Sequence, residues 1–144
     1  MQPEELIFKI RENLIEQKKR LQDYLNILDS ENTDIAEKNV DKLHAHISIE
    51  KKIVEELESF KKILAPMELI YYSSPYKKDT VIKALTESIN KLAGSVKEKS
   101  VVNIDQLNGV MEKIKAEVNS IERKKMADRT GYNTVESMLV DISG

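Results

Sequence analysis

The chain has 144 residues, enough for one domain with a real core. Charged residues make up 33%, aromatics only 5%, and there is no Trp, a balance that suits long helices and argues against a β-sandwich or an α/β enzyme. The 23 basic and 25 acidic residues are well mixed and leave a net charge of -2, so neither nucleic acid nor an anionic membrane is an expected partner. There is no Cys, which removes disulfide and thiol chemistry. No apolar run approaches the ~18 residues that a membrane-spanning helix needs, so no membrane insertion is expected. The start, Met1-Gln2-Pro3-Glu4-Glu5, is acidic where a signal peptide is basic, and a cytoplasmic location is the corresponding expectation.

The first element is expected over residues 3–29. Pro3 suits the first helical turn, and Glu4 and Glu5 complement the positive end of the helix dipole. Ile7, Leu14, Leu21 and Leu28 recur every seven residues, with Ile10, Gln17 and Tyr24 between them. Such 3-4 spacing marks one narrow stripe, the seam of a left-handed coiled coil. A short polar turn over Ser30-Glu31-Asn32-Thr33-Asp34 follows, and Asp34 with Glu37 has capping-box spacing. The second helix is expected over 34–65. Its seam rows are Val40, Ile47, Val54, Lys61 and Ala36, Leu43, Glu50, Leu57, Leu64, and Pro66 is expected to end it. A short turn makes the two helices antiparallel neighbours. Gln17 and Glu50 interrupt the seams near mid-length, where a polar pair would fix register at some cost in stability.

Residues 66–79 read as an irregular connection that holds two prolines and Tyr71, Tyr72 and Tyr76, with Ser74-Pro75 as the start of the third helix. That helix is expected over 75–127. Its stripe runs Ile82, Leu85, Ile89, Leu92, Val96 and resumes as Ile104, Leu107, Met111, Ile114, Val118. Two readings are open at the gap: the helix continues, or it turns near Ser100–Asn103 and folds back as a fourth. A hairpin of about 40–48 Å covers only about half of an unbroken helix of about 80 Å. Leu107, Met111, Ile114 and Val118 would then form an exposed interaction stripe, with Met111 and Met126 suiting an adaptable surface. The expected organisation is a bundle over 1–128 and a loose tail over 129–144. In the tail, Val135, Met138, Leu139 and Ile142 have the spacing of a short amphipathic helix. The tail, or a neighbouring molecule's tail, is expected to shield the same stripe, the second case being tail-mediated self-association.

Catalysis finds little footing. His44 and His46 lie two residues apart and point to different faces of a helix. Asp41 and His44 have the spacing of one half of a di-iron motif, with no second half elsewhere. The four glycines form no phosphate-binding loop. No catalytic residue, metal ligand or cofactor is therefore assigned, and a non-enzymatic role is expected.

Three stretches carry a likeness to a family: Leu21-Gln-Asp-Tyr-Leu-Asn-Ile-Leu28, Lys51-Lys-Ile-Val-Glu-Glu-Leu-Glu58 and Ser100-Val-Val-Asn-Ile-Asp-Gln-Leu107. With two long amphipathic helices, an irregular connection, a long Asn-containing helix and a tail, the chain resembles the FlgN-like flagellar export chaperones over about residues 5–125. The resemblance implies a small cytoplasmic, non-enzymatic chaperone. Such a protein binds the amphipathic C-terminal helix of hook-associated, hook-filament junction clients and delivers them to a component of the flagellar type III export apparatus. The residues alone reach a helical binding module. The rival reading is a coiled-coil scaffold or dimerisation protein.

Overall fold

The computed structural model describes residues 1–132, with side chains to residue 128. Among the described residues the chain is all-α: α1 (Pro3–Ala36), α2 (Val40–Tyr72) and α3 (Thr80–Tyr132), with no strand. It divides into two compact units, Met1–Gln106 and Leu107–Gly144.

Within the first unit the helices run up, down and up. Asn13 reaches Phe60, Arg20 pairs with Glu56, and Tyr24 meets Glu50, so α1 and α2 are antiparallel. Asp79 meets Arg11, Lys99 meets Asp29 and Asn103 meets Leu28, so α3 is antiparallel to α2 and runs alongside α1 in the same direction. One apolar cluster joins Leu6, Ile10 and Leu14 of α1 to Leu64 and Tyr71 of α2 and Ile82 of α3. A second joins Leu21 to Ile53 and Leu57, with Ile89, Leu92 and Val96 packed against it. Because α1 faces two partners, its buried stripe is wider than one seam: Leu6, Asn13 and Leu25 are buried as well as Ile10, Leu14, Gln17, Leu21 and Leu28.

The α2 seam is shifted from the expected one. Leu57 and Leu64 are buried in their row, which continues to Tyr71. The other row lies one residue earlier, with Ile53 buried and Phe60 and Met67 half-buried, while Val40 is exposed and Val54 lies outside the core. Gln17 and Glu50 do not pair. Gln17 is buried and donates from Nε2 to Asn13 Oδ1 at 2.7 Å, and Asn13 donates to the Phe60 carbonyl at 3.0 Å. Glu50 accepts from Tyr24 instead.

Both expected helix ends of the hairpin move. The turn falls at 37–39, not 30–34. Lys38 adopts φ 56°, the Asn39 N–H bonds the Asp34 carbonyl at 2.8 Å, and the Lys38 N–H bonds the Ile35 carbonyl at 3.1 Å. That pair of bonds is the Schellman C-cap, built here on Lys where Gly is usual. Asn39 then caps α2 by accepting from the Lys42 N–H at 3.1 Å. Asp34 is therefore no N-cap; it lies buried inside α1 and bonds His46.

Pro66 does not end α2. The helix runs through it to Tyr72. Proline inside a helix costs roughly 3 kcal/mol. Tyr71, only 2% exposed, offsets that by anchoring the extra turns in the core, and its hydroxyl accepts from the Asp79 N–H at 3.0 Å. Tyr72 lies edge-on to it at 5.0 Å.

The cap of α3 is Asp79 and not Ser74. Its Oδ1 accepts from the Ile82 N–H at 2.9 Å and from Arg11 Nε at 3.2 Å, while Arg11 Nη2 bonds Oδ2. The Arg11 guanidinium holds the carboxyl below the usual carboxylate range. Asp79→Ala should lower the unfolding free energy by about 1–2 kcal/mol through the lost cap, as urea unfolding would read.

α3 passes through Ser100–Asn103 without a break, which settles the two readings in favour of one helix. Gly94 is helical and a Cβ there would meet nothing within 4 Å. Gly94→Ala should raise stability by about 0.5–1 kcal/mol, measured by the same unfolding curve.

Candidate functional site

The second unit begins at Leu107 and is helical to Tyr132. Leu107, Met111, Ile114 and Val118 follow one another at 4-3-4 spacing, which keeps them on one stripe. The structure extends the stripe to Ile121. Leu107 is half-buried. Met111, Ile114, Val118 and Ile121 expose 51%, 43%, 47% and 52% of their surface. Large apolar side chains at this exposure, regularly spaced over about three turns, are what a helix shows before another helix packs on it. Lys115 and Glu122 border the stripe on one side, Glu117 and Lys124 on the other, so each border carries both signs. A partner helix would meet no single-sign field. The remaining expected contact residues, Val135, Met138, Leu139 and Ile142, lie outside the described residues, and so does most of the expected tail.

A different constellation, not expected from the sequence, lies inside the first unit near the hairpin turn. Glu31 and Asp34 of α1, 5% and 4% exposed, face α2. The Glu31 Oε1 atom is buried with no hydrogen-bond partner. Tyr24 donates to Glu50 Oε1 at 2.8 Å, and His46 Nδ1 bonds Asp34 Oδ2. From α3, Asn103 donates to the Leu28 carbonyl at 2.8 Å. Asn32 donates to Asn103 Oδ1 at 3.0 Å and to Gln106 Oε1 at 2.6 Å. Burial first, then the Glu50 carboxylate and Asp34, push the Glu31 carboxyl up to about 8. Burial, followed by Glu50, also raises the Tyr24 phenol well above its usual range. The only sequence signal for this cluster was the acidic run near 31–34, which reads as a solvated turn when the helix is taken to end at residue 29.

His44 is exposed and His46 is spent on Asp34, so the two histidines serve no common centre. Among the described residues no group of three His, Asp or Glu side chains is placed to hold a metal ion. Among the same residues no helix is long and apolar enough to cross a membrane. On the outer side of the hairpin, Met1, Ile15, Phe60, Ile63 and Met67 line an open groove rimmed by Lys9, Glu12, Glu16 and Lys19. Its one buried polar side chain, Asn13, is already bonded to the Phe60 carbonyl and to Gln17. Comparison of the chain with protein-family models, with curated proteins and with solved structures finds no match.

Proposed function

We propose that the chain is a non-enzymatic, cytoplasmic export chaperone of the FlgN-like kind. Its α3 stripe, from Leu107 through Met111 and Ile114 to Val118, would take the amphipathic C-terminal helix of a hook-associated client and keep it from aggregating. The chaperone would then deliver the client to the flagellar type III export apparatus. The observation that carries this reading is the exposed stripe on a continuous helix. An apolar row left in water raises the free energy of the free protein by roughly 25 cal/mol per Å² of apolar surface, and that term is returned when a client helix covers it. The likeness of residues 21–28, 51–58 and 100–107 to the family supplies the client class.

The rival, a coiled-coil scaffold, would use the same stripe to pair with a second copy. Size-exclusion chromatography with light scattering separates the two. The full chain is run alone and with the C-terminal helical peptide of a hook-filament junction protein. The chaperone reading expects the peptide to co-elute at a fixed ratio. A stable dimer that takes up no peptide would favour the scaffold and overturn the proposal.

A further inference from the structure

Glu31 is buried among groups that mostly repel its charged form. From α1, Asp34 stands one turn on and Tyr24 two turns back. From α2, Glu50 faces it, and the His46 ring is engaged with Asp34. From α3 it meets Asn103, and Ser100 faces Tyr24. No Lys or Arg of α3 balances the carboxylates: Lys99, the nearest cation in sequence, bonds the exposed Asp29 at 2.5 Å. A Glu–Glu contact in such surroundings is stable when one carboxyl keeps its proton and donates it to the other. Glu31 is the one with the orphaned oxygen.

The covering element is the weakly held one. Val96 is the last α3 residue in the apolar clusters. Beyond it, Val101, Val102 and Ile104 are exposed, and α3 is tied to α1 by polar bonds from Lys99, Asn103 and Gln106. Water can replace every one of those bonds when the segment lifts, and the apolar cover lost there is mainly that over Leu28. By contrast, hydrating Glu31 from the α2 side would require parting two helices that share the apolar clusters.

We propose that Glu31 keeps its proton inside the fold, and that this proton latches residues 98–106 of α3 onto the α1–α2 hairpin. Loss of the proton places a second charge against Glu50 and opens this end of the first unit. The sign follows from the direction of the perturbation. Glu31 holds its proton more tightly folded than unfolded, so stability falls as pH rises from the ordinary value of 4.5 to about 8. One proton gives at most a tenfold loss in the folding constant per pH unit within that window.

The test uses the full chain. The Glu31 carboxyl is titrated by carbon-13 NMR, and amide exchange of residues 98–106 is compared with that of residues 82–92 at pH 6 and pH 9, corrected for intrinsic rates. The latch expects Glu31 to titrate well above the usual carboxylate range. It also expects protection of 98–106 to fall at least about tenfold at pH 9 while 82–92 changes less. In Glu31→Gln the pH dependence should vanish. Ordinary titration of Glu31 would overturn the proposal. So would equal protection of 98–106 at both pH values, or the same pH dependence in Glu31→Gln. If that variant does not fold, the two wild-type measurements decide.

Discussion

Replacing Tyr71 with Ala should lower the unfolding free energy of the chain by about 3–5 kcal/mol, the range for emptying a buried aromatic site. Three losses coincide there. The ring leaves a cavity against Leu6, Ile10, Leu64 and Ile82. The Asp79 N–H loses the hydroxyl it donates to, just where α3 is capped. The turns after Pro66 lose the contact that holds them helical against the proline's own cost. Tyr71→Phe separates these terms, because it keeps the ring and removes only the hydroxyl; about 1 kcal/mol is expected. Guanidinium unfolding of both variants checks the prediction. Near-equal losses would mean that the hydrogen bond, not the packing, anchors the end of α2.

Met111→Asp should weaken client-peptide binding at least about 30-fold, equivalent to about 2 kcal/mol, while leaving stability within about 0.5 kcal/mol. Both halves follow from position. Met111 is 51% exposed, so the free chain loses little when a carboxylate replaces it. On the proposed contact face the same carboxylate would be desolvated between Leu107 and Ile114 with no partner. Isothermal titration measures the first half and thermal unfolding the second. Ending the chain at Arg129 should act in the opposite sense and tighten binding, if the tail competes for the stripe as its spacing suggests.

Much of the architecture was legible because periodicity reports it. Leu14, Leu21, Leu57 and Leu64 sit on the expected seams, and the 22-residue shift between the Ile82 and Ile104 runs matches the unbroken α3. Boundaries failed where one residue does another's usual work. Lys38 takes the left-handed position that Gly normally marks, so residues 37–39 carry no turn signal and the polar run at 30–34 stands out instead. Pro66 marks a stop by the local rule, and the burial of Tyr71 that overrides it is a tertiary fact. Val54 and Lys61 give the same 3-4 pattern as Ile53 and Phe60 one position earlier, so spacing alone does not choose between the two rows. The candidate client face was visible as spacing alone. The Glu31–Glu50 contact was not, because it depends on α1 continuing to Ala36 and on which α2 residue lies opposite.

The most direct test of the proposed docking face is an amide and methyl NMR shift map of the full chain, recorded while the C-terminal helical peptide of a hook-filament junction protein is added. The account predicts saturable shifts centred on Leu107, Met111, Ile114 and Val118. Shifts confined to the hairpin groove around Ile15, Phe60 and Ile63, or no shifts at saturating peptide, would contradict it.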